Sequence, residues 1–537
     1  MTRLETDPGS RRDDVAPLFD QALALFRVGR LAEAKRMARR ILAEQPKHAQ
    51  ALHLLGVALS QQGNHTEGLQ FIDAAMQVEG ESASIYNSRG NVLVALHRLG
   101  EAVASYDKAI ALKSDFAEAF CNRGGALQEL KRFDEAVASY DQAIALKPDS
   151  AEAFCNRGLA LQELNRFDEA LASYDKAIAL TPDHAEAFCS RGATLQALKR
   201  LGEALASYDK AIALKPDYAD GYRNRALVRL LMGRYREGWS DYEWRWGAKG
   251  SPSRRLDINV PTWQGEDLTG RHLLVFSEQG LGDVIQFVRY LPLLTKPEGK
   301  ITFLVPAKLT RLLRPSIQAV EIIGGLNEAH HLDLQVALLS LPYRFDTELS
   351  SIPNKVPYLK AEPELEARWS ARIGAHGFKI GIAWQGNPSG TIDEGRSVPL
   401  QEFVPLSRIP GVRLISLQKH VGLDQLADLP KDVEIETLDD DFDSGLDAFI
   451  DTAAVMTNLD LVITADTAIA HLAGALGRPT WVALKHVPDW RWLLDREDCP
   501  WYPTARLFRQ SRRDDWASVF ARINQEVQTL GNARGVK

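Results

Sequence analysis

A 34-residue period dominates the first half of this 537-residue chain. Ala117–Ser150 reads AEAFCNRGGALQELKRFDEAVASYDQAIALKPDS and Ala151–His184 reads AEAFCNRGLALQELNRFDEALASYDKAIALTPDH, so 28 of 34 positions agree without a gap. Aromatics recur in this register at Tyr86, Phe120, Phe154, Phe188 and Tyr222, with Leu52 and Leu18 at the earlier equivalents. Seven units therefore run from Val15 to about Pro252. Units of this length stack on their neighbours as a solenoid of helical hairpins. Gly90, Gly124, Gly158 and Gly192 in the first helices, and Ala102, Ala136, Ala170 and Ala204 in the second, are small enough to let helices cross closely. Tyr106, Tyr140, Tyr174 and Tyr208 are expected to fill the gaps between neighbouring hairpins. Pro148, Pro182 and Pro216 end second helices, because proline cannot continue them. The end units are degenerate, with Ala22, Gly68 and Gly238 at the small-residue position.

The period and its small-residue pattern resemble the tetratricopeptide repeat. Cys121, Cys155 and Cys189 fall at one repeat position, so stacking puts them roughly 10 Å apart, too far for a shared tetrahedral metal site. Asn122, Asn156 and Asn224 also share a position, with Ser88 and Ser190 completing the register. First helices line the concave face of a solenoid. An amide ladder there can hydrogen-bond an extended peptide without reading its side chains, as in the resembling repeat domain of O-linked N-acetylglucosamine transferases. A solvated polar face is the other reading. Trp239, Tyr242, Trp244 and Trp246 are too many aromatics for an exposed helix end and are expected to bury a contact with the non-repetitive half; Gly247–Ser253 is a short, semi-rigid turn.

Beyond about Arg254 the pattern becomes strand–turn–helix, with β-rich runs at His272–Phe276, Ile301–Val305, Val320–Ile323, Lys379–Trp384, Val412–Leu417, Leu459–Thr464 and Thr480–Leu484. This is the rhythm of covered parallel sheets. It predicts two facing Rossmann-like lobes, residues 253–376 and 377–537, after a flexible segment 1–14 and a solenoid 15–252. Ligands of such sheets sit at the carboxyl ends of strands, and three such places carry chemistry. In HLLVFSEQGLGD, Gly280 and Gly282 permit a tight turn, and Asp283 can take a proton from an acceptor or simply cap a helix. In WQGNPSGTIDEGR, the loop from Trp384 through Gly386 and Asn387 ends on Arg396, a cation suited to a diphosphate or a plain surface arginine. In TADTAIAHLAGALG, Asp466, Thr467 and Ala468 open a helix whose free N–H groups attract anions, with His471 one turn on; a purely structural helix is the alternative. Asp439, Asp440 and Asp441 mimic an acidic metal motif but fit a solvated loop better.

The ordered set of GLGD turn, WQGNP–Arg396 loop and DTAIAHLAGALGRPTW segment resembles heptosyltransferase-type glycosyltransferases of the GT-B fold over roughly Arg271–Val527. With the repeats included, the chain is similar to bacterial tetratricopeptide glycosyltransferases that modify proteins, flagellin-modifying ones among them. The aromatic tail with Trp490, Trp492, Trp501 and Tyr502 fits either that impression or packing between lobes. The resemblance implies a general base at Asp283 and diphosphate contacts from Asp466, Thr467, Ala468 and His471; the readings of the glycine turn and of the strand-end loops add Gly280, Gly282, Trp384, Gly386, Asn387 and Gln418 as expected donor contacts. The resemblance adds a phosphate cation at Arg396, where the family more often has lysine. It implies an inverting transfer from a nucleotide sugar, with no essential metal or resident cofactor, to an acceptor protein or peptide in the groove. A non-catalytic scaffold, an epimerase, or a transferase acting on a polysaccharide or lipid precursor are the competing readings.

A net charge of −7 argues against a nucleic-acid binder relying on a basic surface. Four cysteines in this length suggest a reducing compartment, and no apolar leader or membrane-length run is visible, so a cytoplasmic setting is expected.

Overall fold

The computed structural model describes residues 15–253, 255–294, 299–326, 331–388 and 395–533. The expected flexible segment 1–14 lies outside them, as do residues 389–394 of the loop after Trp384. The chain divides into two compact units, Met1–Pro216 and Asp217–Lys537. No helix among the described residues is long and apolar enough to cross a membrane.

Among the described residues, the first unit holds six helical hairpins: Val15–Arg27 with Leu31–Glu44, Ala49–Gln61 with His65–Glu79, Ala83–Ala95 with Leu99–Leu112, Ala117–Glu129 with Phe133–Leu146, Ala151–Glu163 with Phe167–Leu180, and Ala185–Ala197 with Leu201–Leu214. Their packing follows from the glycines. A Cβ at Gly124 or Gly158 would lie 2.7 Å from the ring of Tyr140 or Tyr174. Each tyrosine therefore sits on the glycine of its own hairpin, rather than only between hairpins as the sequence suggested. The Tyr140 hydroxyl donates to Gln128 Oε1 of its own hairpin at 3.2 Å, while Tyr174 also bonds Ser190 of the next hairpin.

Neighbouring hairpins are joined by a repeated latch. Arg123 donates from Nε to Asp107 of the preceding hairpin (2.6 Å) and from Nη1 to Ser139 of its own (2.6 Å). Arg89, Arg157 and Arg191 repeat the arrangement. Each arginine is held in its own hairpin by a part-buried serine, so its fork presents a fixed donor to the more exposed aspartate of the hairpin before.

The second unit begins with a seventh hairpin, Ala219–Leu231 and Tyr235–Tyr242. Asp241 replaces the latch serine here and takes Arg225 through both oxygens, at 2.7 and 2.8 Å. Two all-parallel sheets follow. The first comprises β1 (His272–Phe276), β2 (Lys300–Leu304), β3 (Glu321–Ile323) and β4 (Leu334–Ala337), in the order β3-β2-β1-β4. The second comprises β5 (Phe378–Ala383), β6 (Val412–Ser416), β7 (Leu461–Ala465), β8 (Thr480–Leu484) and β9 (Ala505–Arg509), in the order β6-β5-β7-β8-β9. Strands β7 and β8 are buried throughout, as a sheet covered on both faces requires. The closing helix Trp516–Ala533 buries Trp516, Val519, Phe520 and Ile523 in the same core as Phe378 and Ile380 of β5.

Of the aromatics after the last repeat, Trp239 and Tyr242 are buried in this unit, whereas Trp244 is 39% exposed and stacks flat on Tyr222 with ring centres 4.2 Å apart. The Gly/Ser/Pro turn folds back on the seventh hairpin, where Lys249 N–H donates to Asp220 at 2.8 Å.

Candidate active site at the strand ends of the second unit

The strand orders mark where a ligand would sit. In the first sheet the path reverses beside β1, and in the second it reverses at β5 and β7. Such switch points leave a crevice beyond the carboxyl ends of the strands. The three segments singled out in the sequence follow β1, β5 and β7.

After β1, Gly280 caps the helix Leu281–Phe287 and Asp283 lies in its first turn. Asp283 Oδ2 accepts the Gly280 N–H at 2.9 Å, so the carboxylate does cap the helix. Its Oδ1 accepts a hydrogen bond from Arg491 Nη2. Its side chain nevertheless retains 20% exposure, which leaves it reachable. Burial pushes the Asp283 carboxyl up from its usual range, against the pull of Arg491 and Arg396.

After β7, Thr467 caps the helix Ala468–Ala475, and its side chain accepts the Ile469 N–H at 3.3 Å. Burial, reinforced by Asp489, pushes Asp466 up to about 6, with Arg396 opposing. Burial, with Arg491, Arg289 and Arg396 adding to it, holds His471 well below its usual range, so the imidazole is neutral. Its Nδ1 pairs with the Tyr502 hydroxyl at 3.0 Å and its ring stacks on Trp492.

Gly282 joins these two places. A Cβ there would come 3.0 Å from His471 Cδ2 and 3.4 Å from Ala468 Cα, so only glycine lets the two helix starts approach this closely. Arg396, at the end of the β5 loop, is close enough to influence Asp283, Asp466 and His471 together. Asp283, Arg396, Asp466 and His471, from three segments spread over nearly 200 residues, thus lie in one neighbourhood.

The remaining expected donor residues are placed as follows. The Trp384 ring is fully buried, and its Nε1 donates to Gly422 O at 3.1 Å, which leaves only its backbone at the loop. Gln418 braces that loop: its Oε1 accepts from Trp384 N and Gln385 N, each at 3.1 Å, and its Nε2 donates to Gln385 O and Val421 O, each at 2.9 Å. Gly386 N–H donates to Ser397 Oγ at 3.1 Å, and Asn387 is exposed. Asp439 and Asp441 pair with Arg372, and Asp441 also with Arg368, on the helix Pro363–Ile373.

Sequence reasoning missed the centre of the cluster, Arg491. It reaches Asp283 through Nη2, Gln286 Oε1 through Nε at 2.7 Å, and Asp489 Oδ1 through Nη1 at 2.8 Å. Its side chain is 9% exposed. The one signal was DWRW, an aspartate opening a short turn, since Asp489 Oδ1 also accepts the Arg491 N–H at 3.0 Å.

In the first unit, the ladder is a chain of links between hairpins. Asn122 Nδ2 donates to Asn87 Oδ1 at 3.0 Å, Ser88 Oγ meets His53 Nε2 at 2.8 Å, and Asn156 meets the Cys121 thiol. The ladder position of one repeat thus bonds the cysteine position of the repeat before it. Burial pushes the Cys121 and Cys155 thiols up to about 11, so both stay protonated. Asn224 lies in the second unit, on the half-buried face of Ala219–Leu231.

Comparison with known proteins matches the description TPR repeat to residues 90–131, 126–165 and 195–233, and tetratricopeptide repeat to residues 151–184 and 19–81. Protein FlbA of Caulobacter vibrioides is 27% identical over 322 residues, covering 55% of this chain and 53% of that protein. The chain thus spans about half the length of this curated relative, and the matched stretch is longer than the repeat segment, so the likeness runs past the repeats. Among solved structures, YrrB, a TPR protein with an unusual peptide-binding site, is 26% identical with a TM-score of 0.31, covering 34% of this chain and 95% of that one. Pseudomonas aeruginosa PilF is 17% identical with a TM-score of 0.36, covering 40% and 96%. The repeat matches, together with the glycine–tyrosine hairpins, show that this chain contains tetratricopeptide repeats.

Proposed function

We propose that the chain is an inverting GT-B-type glycosyltransferase that moves a sugar from a nucleotide donor to a protein segment held by its repeats. The observation that carries this reading is the convergence of Asp283, Arg491, Arg396 and the Thr467–Ala468 helix start beyond the ends of two parallel sheets. Asp283 would accept the proton of the acceptor group as that group attacks the anomeric carbon. The helix start and Arg396 would meet the charge on the departing diphosphate. Arg491 couples the two events: a proton on Asp283 removes one of its counter-charges just as the leaving group gains charge nearby.

The repeats supply the protein-binding part, and the ladder at Asn122 and Asn156 is its candidate contact with an acceptor backbone. Asp283→Ala, with folding checked by circular dichroism, should abolish sugar transfer; retained transfer removes Asp283 as the base. A second reading, a non-catalytic scaffold, draws on the occupation of both Asp283 oxygens by Gly280 and Arg491. Nucleoside diphosphates separate the two: an enzyme gains about 2.7 kcal/mol at a hundredfold excess over Kd, seen as a rise in Tm, and a scaffold gains nothing.

A further inference from the structure

The seventh hairpin is built into the sheet-bearing unit by contacts that converge on the segment carrying Asp283. Arg245, just after this hairpin, is 1% exposed, and its partner Glu278, two residues before Gly280, is 0% exposed. Arg245 Nη2 donates to Glu278 Oε1 at 3.0 Å and to Ser340 Oγ at 2.8 Å. Its Nη1 donates to Glu243 Oε1 at 2.8 Å. Glu278 Oε1 also accepts the Leu339 N–H at 3.3 Å. One residue on, Gln279 Nε2 donates to the Tyr242 hydroxyl at 2.9 Å and to Ser253 Oγ at 2.7 Å.

The same hairpin supports the segment that carries Arg491. Trp239 packs edge-on against Trp490 with ring centres 5.1 Å apart, and against Phe287 at 6.2 Å. The Tyr235 hydroxyl accepts the Trp501 indole N–H at 3.1 Å.

A buried ion pair adds little net stability over an apolar pair of the same size, because both charges lose their water. Its contribution is directional: each group holds the other in one geometry, and removing one leaves an uncompensated charge. Here that direction is spent on the turn between β1 and Asp283.

We infer that Arg245 and Tyr242 are positioning residues for Asp283, and that the seventh repeat serves the sheet-bearing unit as the mould of its glycine turn. The structural half of this inference stands alone; its catalytic consequence rests on the transferase reading above.

The test uses the full chain with Arg245→Met, Glu278→Gln, the double variant, and Tyr242→Phe. Arg413→Met, which breaks an ion pair with Glu436 in the second sheet, serves as a control. Hydrogen exchange is read peptide by peptide. Tyr242→Phe keeps the ring and removes one hydrogen bond, so exchange over residues 277–284 should rise about threefold to tenfold while residues 461–475 stay unchanged. Arg245→Met should exceed this; burial already pushes Glu278 up to about 7, so its carboxyl takes up a proton once Arg245 is gone, and adding Glu278→Gln should change the exchange little further. If Arg245→Met fails to fold, Tyr242→Phe decides. Unchanged exchange at 277–284, or a rise spread equally over both regions, overturns the inference. In a transfer assay, Tyr242→Phe should lower kcat with the donor KM unchanged. A wild-type chain that neither binds nucleotide nor transfers sugar removes the transferase reading, while the exchange pattern still decides the positioning role.

Discussion

Asp466 shows how one side chain can report on the proposed anion site. It is half-buried at the end of β7 and pushed up to about 6 by burial and by Asp489. Below that pH it is protonated and neutral; above it, a carboxylate faces whatever anion approaches Thr467 and Ala468. Nucleoside diphosphate affinity should therefore fall as pH rises through 6, by about tenfold between pH 5 and 7 for one added repulsive charge. Asp466→Asn should flatten this part of the profile. The ligand's own ionisation contributes equally to both proteins and cancels in the comparison. Titration calorimetry over that range checks it, and identical slopes for the two proteins would show that Asp466 does not face the ligand. Asp466 was visible in the sequence because it follows directly on a strand of buried residues. Arg491 was not, because nothing in a three-residue turn reveals that it reaches 208 positions back to Asp283.

At the scale of elements, legibility followed burial and repetition. The hairpins were readable because each unit reprints the same contacts, and most strands were readable as continuous apolar runs. Strands β4 and β9 escaped for different reasons. The β4 run LQVA flows straight into LLSLPYR, with no polar break to separate a strand from a helical turn. The β9 run ARLFR carries two arginines, and Arg506 pairs with Glu497 and Glu526; charges of this kind suit an edge strand and mask its apolar residues. The glycines give a paired prediction at this scale. Gly124→Ala would drive a Cβ to within 2.7 Å of the Tyr140 ring and should cost about 1–3 kcal/mol through overpacking. Gly202→Ala, in the first turn of Leu201–Leu214 with nothing within 4 Å of the new Cβ, should instead stabilise the helix by up to about 1 kcal/mol. Thermal unfolding of the two variants should move in opposite directions, and a shared sign would mean that the glycines are not graded by their contacts.

Under the proposed function the molecule would combine two kinds of binding chemistry, one in each unit. The repeats offer amides that can pair with a peptide backbone; the strand ends of the second unit offer a helix start and arginines that suit a diphosphate. The mild overall acidity is compatible with both, since neither depends on a broad basic surface. Asn122 and Asn156 can be changed without touching the charged cluster. Each spends part of its amide on the preceding repeat, so Asn→Ala at both should loosen the solenoid modestly, by about 0.5–1.5 kcal/mol per lost hydrogen bond. If these amides also hold the acceptor, the double variant should raise KM for a protein acceptor by about tenfold or more. The nucleotide-induced rise in Tm and the slow hydrolysis of the donor by water should stay as they are, because neither needs the groove. Changing both asparagines to glutamine keeps the amide but lengthens its reach, and should restore binding only in part. An unchanged KM for the acceptor in both variants would return the ladder to a purely inter-repeat role. A parallel loss of nucleotide response would mean that the substitutions act through stability instead.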